Sequence, residues 1–358
     1  MSYVLERSDL LSIFAADDEI GKFLTSKADI EAILKFEVAL AQACAHSGMI
    51  PAAAVGVIAE AVKNLRPDSR KLAQGMARDG VVVPELVRQL RAGVRREHAE
   101  AVHFGATSQD AVDTSMVLRV RAICELLSER LKALIARIRE LEKQFGANRI
   151  EARTRMQIAR PIRSRDRLVR WRRTLDELAK TPDREKLRWF ALQFGGPTGT
   201  LDAFGSRAVA VANDLAKRLD LSSPAENWQT DRSRVVAIAA WLSLLSGALG
   251  KIAADICLMA QNEIAEIELG EAGGSSSMAH KRNPVKAEIL VALARHNATL
   301  IGAMHHSLVH EQERSGAAWT LEWLTLPQMC MNAGAATRLA AELFGAIERF
   351  GKKADRDK

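Results

Sequence analysis

The chain is 358 residues long and contains a single tyrosine, nine prolines and only 5% aromatic residues. With so few breakers and stacking residues, and with Ala, Leu, Arg and Glu prominent, it has little to build a β-rich domain from and favours helices. Its four cysteines, Cys44, Cys124, Cys257 and Cys330, lie far apart in apolar helical patterns, with no CxxC pair. That spacing argues against a disulfide framework or a zinc ribbon and predicts reduced core residues of a cytoplasmic protein. The longest uncharged apolar run, Val235 to Gly250, has 16 residues, short of the about 18 wanted for a membrane span. The N-terminal stretch MSYVLERSDLLSIFAADDEI carries charge where a signal peptide would be apolar, so neither export nor membrane insertion is expected. Nucleotide, flavin and HExxH patterns are missing. His306 and His310 have the spacing of a zinc pair but no companion ligand, so neither cofactor nor metal is expected.

What is abundant is positive charge and helical periodicity. The net charge is +7, and Arg149 to Arg173 holds ten arginines against Glu151 and Asp166. Taken alone, such a run fits a solvated face, a nucleic-acid groove or a site for an anionic substrate. No stacking aromatics are interleaved and no helix-turn-helix or zinc-finger pattern is present, which argues against nucleic acid.

Residues 1–103 read as a small N-terminal domain of short helices with turns at Gly48 to Pro51 and Arg66 to Pro67. Residues 104–350 read as a bundle of unusually long helices, and 351–358 as a short polar tail. From Gln109 to about Phe145, apolar residues recur three or four apart without internal Pro or Gly, predicting one very long helix. A second is predicted from near Arg163 and a third over about Ser206 to Leu219. The next, Gln229 to about Glu268, is apolar around most of its circumference and calls for helical neighbours on every side. Two more are expected over Pro284 to about His310 and Thr320 to Phe350. Together these features predict an all-α protein.

Three segments could carry chemistry. In GGSSSMAHKRNP, Gly273 to Pro284, Asn283 suits an N-cap and Pro284 a first helical turn, so unpaired backbone N–H groups would face a mobile serine loop beside Lys281 and Arg282. In HFGATSQDAVDT, His103 to Thr114, Thr107 and Asp110 have capping-box spacing at the start of the first long helix. In RTRMQIARP, Arg153 to Pro161, Gln157 stands among arginines. Each also has a plainer reading: a flexible connector, an ordinary cap, a solvated basic face.

Together the three resemble the signature regions of the fumarase/aspartase superfamily, whose members add or eliminate across a carbon–carbon bond beside a carboxylate. GSSSMAHKRNP is similar to that family's GSSxMPxKxNP signature, and the likeness runs from about residue 20 to 345. HFGATSQDAVDT, LQFGGPTGTLDAFG, NWQTDRSRVV and HEQERSGAAWTLEWLTLPQ are most similar to the bacterial 3-carboxy-cis,cis-muconate cycloisomerase branch. The adenylosuccinate lyases are the nearest alternative, and a helical paralogue that has lost catalysis is a third.

The resemblance implies a small tricarboxylate substrate and reversible lactonisation in aromatic catabolism through the protocatechuate, beta-ketoadipate route. Helix length adds a homotetramer with shared sites: a helix from Gln109 to Phe145 spans roughly 55 Å and sets the first two regions at opposite ends, and the all-round apolar helix asks for more neighbours than one chain offers. It implies Ser275 as the proton-transfer residue. Ser276, Lys281, Asn283, Thr107, Ser108 and Gln157 are implied to hold substrate, with Arg314 and a supporting His103. Three departures stand out. Ala279 replaces the signature proline. Arg155 and Ile158 occupy the usual histidine positions of the second region, which makes Arg155 a carboxylate binder in place of a histidine acid. The chain also stops short of the C-terminal helical domain usual in the family, so that domain is expected to be largely absent.

Overall fold

The computed structural model describes residues 9–270, 273, 274, 278 and 281–353. The described residues begin with six helices: α1 (Asp9–Ala15), α2 (Asp18–Phe23), α3 (Ser26–His46), α4 (Ala52–Asn64), α5 (Ser69–Asp79) and α6 (Val83–Ala92). The turns between α3 and α4 and between α4 and α5 fall at the glycine and proline positions that the sequence marks.

Next comes α7 (Ser108–Phe145), 38 residues and about 57 Å long at about 1.5 Å per residue. It buries Val120, Ile123, Leu127, Leu131, Leu134 and Ile138, the predicted apolar face. A hairpin of β1 (Arg149–Thr154) and β2 (Gln157–Arg163) then turns the chain into α8 (Ser164–Arg184), which packs back along α7. The short α9 (Lys186–Trp189) and α10 (Ala208–Leu219) lead to α11 (Ser233–Met259). There follow β3 (Ile267–Leu269), α12 (Val285–His306), α13 (Gly316–Gly345) and β4 (Ile347–Phe350). α11 packs on α12 and α13, and α13 also on α7, so one continuous apolar core runs the length of the bundle.

Three expectations are corrected. The helix expected over Gln229 to Glu268 is α11, 27 residues long. It starts late because the Trp228 N–H donates to Gln193 Oε1 and the Gln229 side chain to Gly196 O, binding that segment to the glycine-rich turn. It ends early because Ile267 and Leu269 turn inward as a strand, pairing with Phe350 and Ile347 of β4. The last helix stops at Gly345 for the same reason. Asn283 is not an N-cap: its N–H and C=O exchange hydrogen bonds with Gly273, and α12 begins beyond Pro284 without a side-chain cap.

Among the described residues, the otherwise all-α fold therefore carries two small antiparallel sheets. They sit together at one end of the bundle, where Arg149 bridges to Lys352. α11 is long and apolar enough to cross a membrane, but 61% of its most apolar window is buried in the bundle.

Candidate active site

At the N-terminal end of α7 the chain approaches through His103 and Gly105, both with positive φ (59° and 65°). Gly105 is required twice over, by its φ and because a Cβ there would collide with the Phe204 ring. Phe204 in turn stacks edge-on to Phe104 and tilts against Phe194, fastening this approach to the glycine-rich turn. His103 Nδ1 lies 2.6 Å from Glu37 Oε1. Burial disfavours the imidazolium, but the adjacent carboxylate outweighs it and holds the His103 pKa above its ordinary value.

Thr107 caps α7 and Ser108 is its first residue. The buried Asp110 carboxylate accepts from the N–H groups of Thr107 (3.0 Å), Gly195 (2.8 Å) and Gly196 (3.0 Å). The expected capping residue thus also clamps the turn that follows α9. Burial pushes its carboxyl up to about 6, against the pull of those donors. Arg314, on the segment between α12 and α13, reaches the same place: Nη2 donates to Pro197 O at 3.1 Å and lies 3.3 Å from Thr107 Oγ1. The result is a helix N-terminus, a hydroxyl and a guanidinium together, a setting that suits a carboxylate.

Beneath lies a buried ionic cluster. Arg232 is bidentate to Asp113 (2.6 and 3.1 Å) and to Glu322 (2.8 and 2.6 Å). Trp319 Nε1 donates to Asp113 Oδ1 at 2.9 Å, and Trp228 stacks under the guanidinium. Burial works against both charged forms here, yet the pairing dominates: the Arg232 pKa is raised and that of Glu322 lowered. Breaking such a pair typically costs about 3–5 kcal/mol. The cluster joins α7, α11 and α13 directly below Thr107 and Arg314.

The other predicted residues lie at the far end of the bundle. Arg155 and Met156 form the hairpin turn, both with positive φ (49° and 68°), and Arg155, Gln157 and Ile158 are exposed at its tip. The hairpin base is anchored by the buried Glu266, which accepts the Glu151 N–H at 2.7 Å and pairs with Arg153 at 3.3 Å. Glu266 immediately precedes β3, so it ties the second signature region to the strand that leads into the third. The serine loop has a closed neck: Gly273 N donates to Asn283 O at 2.9 Å and Asn283 N to Gly273 O at 2.8 Å. Lys281 is exposed beside this neck. Ser275, Ser276, Ser277 and Ala279 lie outside the described residues.

One chain therefore brings together His103, Thr107, Ser108 and Arg314, and separates them by the length of α7 from Arg155, Gln157, Lys281 and Asn283. Gln109, Asp113, Arg232, Glu266 and Glu322 escaped the sequence reading as site-supporting residues. Arg232 had a legible signal: an arginine in NWQTDRSRVV, directly before a strongly apolar helix, needs a buried partner. Among the described residues no group of three or more His, Cys, Asp or Glu is placed to hold a metal ion. His306 ends α12 in an exposed position, while the His310 ring is buried in the following loop against Glu322.

A family model described as lyase matches residues 6–296. The chain is similar to the 3-carboxy-cis,cis-muconate cycloisomerase of Bradyrhizobium diazoefficiens, 38% identical over 90% of this chain and 73% of the relative. It is similar as well to the protein of that name from Pseudomonas aeruginosa, 37% identical over 89% and 71%. Among solved structures, the 3-carboxy-cis,cis-muconate lactonizing enzyme from Pseudomonas putida matches with a TM-score of 0.90 at 34% identity, covering 96% of this chain and 78% of that one.

Proposed function

The chain belongs to the lyase family of the fumarase/aspartase superfamily, and on that premise we propose that it catalyses the reversible lactonisation of 3-carboxy-cis,cis-muconate to 4-carboxymuconolactone. The observation that carries this reading is the likeness to muconate cycloisomerases, which runs through nearly the whole chain. In the reaction one substrate carboxylate attacks the conjugated double bond of the same molecule. A C–O bond forms, the π pair moves toward the neighbouring carboxylate, and a proton is delivered to carbon. The nucleophile is tethered, so proximity comes from the substrate. The enzyme has to supply the proton and stabilise charge on the enolised carboxylate.

Ser275 is the proton-transfer residue in this reading. Thr107, Ser108 and Arg314 hold one carboxylate at the α7 N-terminus, with His103 supporting their loop. Lys281, Asn283 and Ser276 hold another, and Gln157 and Arg155 close the site from the hairpin. The tricarboxylate gives the basic second region its purpose.

These groups meet only if different subunits supply them, so the assembly is a homotetramer of D2 symmetry with shared sites. Supporting this, α11 leaves Ala237, Ala240, Leu244, Gly247, Lys251, Ala254 and Leu258 unburied at heptad spacing along one face, the pattern of a helix seam. The chain divides into an N-terminal helical domain (1–103), the bundle (104–350) and a short tail (351–358), and works in the cytoplasm without metal or cofactor.

The test is direct. Purified protein is expected to abolish the ultraviolet absorbance of the conjugated muconate, with EDTA having no effect. Release of fumarate from adenylosuccinate at a higher kcat/KM would assign it to the lyases instead, and no turnover of either substrate would make it a non-catalytic paralogue.

A further inference from the structure

Gln109 is fully buried in the first turn of α7, and all of its amide is engaged. Nε2 donates to Asp113 Oδ2 at 3.1 Å and to Gln229 O at 2.8 Å, while Oε1 accepts from Arg314 Nε at 2.8 Å. The orientation is forced. A flipped amide would set its oxygen against two acceptors and its N–H groups against a guanidinium, which can only donate. Asp113 cannot turn away, because Arg232 grips both of its oxygens and Trp319 donates to one. The rigid cluster below therefore fixes the amide, and the amide presents one acceptor at the surface end, directed at Arg314. Nη2 of the same guanidinium is left facing Thr107 Oγ1 and Pro197 O. Arg314 is exposed and sits on a connecting segment two residues after Gln312, which has a positive φ of 50°. Without the buried Gln109 acceptor, the exposed Nη2 contacts alone would hold this long side chain, and it would sample more rotamers.

We propose that Gln109 is a positioning residue that aims the Arg314 guanidinium at the carboxylate site on the α7 N-terminus, transmitting the rigidity of the Asp113–Arg232–Glu322 cluster to a surface arginine. This rests on the functional reading above in that it assigns Arg314 a substrate carboxylate.

Gln109→Met keeps the length and apolar volume of the side chain and leaves Asp113 bonded to Arg232 and Trp319, so the fold should survive. The variant is expected to raise KM for 3-carboxy-cis,cis-muconate about tenfold with a much smaller change in kcat. In the Arg314→Ala background it should add less than about a twofold further change, because the group it aims is gone. An equal loss in both backgrounds, or a loss confined to kcat, would overturn the proposal. Amide hydrogen exchange on the same full-length samples provides an arm independent of the reaction. Exchange over residues 310–316 should quicken in Gln109→Met while α7 stays protected; unchanged exchange there would also overturn the proposal. If the unmutated protein fails to turn over the muconate, the functional reading falls, and the exchange result still decides whether Gln109 holds the arginine segment.

Discussion

His103 occupies left-handed backbone space and sets its ring against Glu37 with only 13% of the side chain exposed. A non-glycine residue there costs on the order of 1 kcal/mol, which the charged contact offsets. The folded-state pKa lies above the ordinary imidazole value of about 6.5. The stabilisation from the pair is therefore complete below that value and is lost as pH rises through the folded-state pKa. Glu37→Gln keeps the shape but removes the charge. It is expected to lower the thermal midpoint by about 3 °C at pH 5.5 and by clearly less at pH 9. An equal drop at both values would mean that the contact is a neutral hydrogen bond. The sequence marks His103 as a candidate but offers no way to find Glu37, which lies 66 positions earlier and becomes its neighbour only through packing.

Among the elements, α11 and α12 approach closely at Gly250, where a Cβ would collide with the Cβ of Ala294. Two small residues let the backbones approach there, and adding a methyl has to push one helix outward at about 1–3 kcal/mol. Gly250→Ala is expected to lower the thermal midpoint by several degrees, and Ala294→Gly in the same chain to restore part of it. If the double variant melts below the single one, helix propensity rather than the crossing controls this position. The hairpin was the least legible element. RIEARTRMQIARPIR has no Asn-Gly turn, and its repeated arginines resemble a solvated helix face; only the inward pair Ile150 and Ile162, opposite each other in the register, gives the strands a reason to exist.

For the whole molecule, length decides. At about 57 Å, α7 holds its Thr107 end and its hairpin end too far apart for one small substrate to touch both. The proposed tetramer makes two predictions that one set of samples can check. Light scattering should give about four times the 39.2 kDa chain mass. Mixing Ser275→Ala with a Thr107→Ala, Ser108→Ala double variant under subunit-exchange conditions should restore some activity, because a hybrid assembly contains sites with every region intact. A fully active monomer, or no recovery after demonstrated exchange, would refute shared sites.

Local pattern was enough to determine the long helices, because a 3.6-residue apolar period over ten turns specifies a buried face whatever it packs against. It was also enough for the capping pair Thr107 and Asp110, whose interaction spans three residues, and for the signature segments that named the family. Tertiary structure alone decided where α11 and α13 end, since β3 and β4 are each too short to outweigh helix propensity until they pair across about eighty residues. It alone assembled Asp113 of α7, Glu322 of α13 and Arg232 just before α11, and through Gln109 brought Arg314 to Thr107, 207 positions away. The reason is the range of the forces. Backbone dihedrals and capping act within a turn, and sequence displays them; a buried charge or amide can be satisfied by any partner that packing delivers, and only the folded chain determines which partner that is.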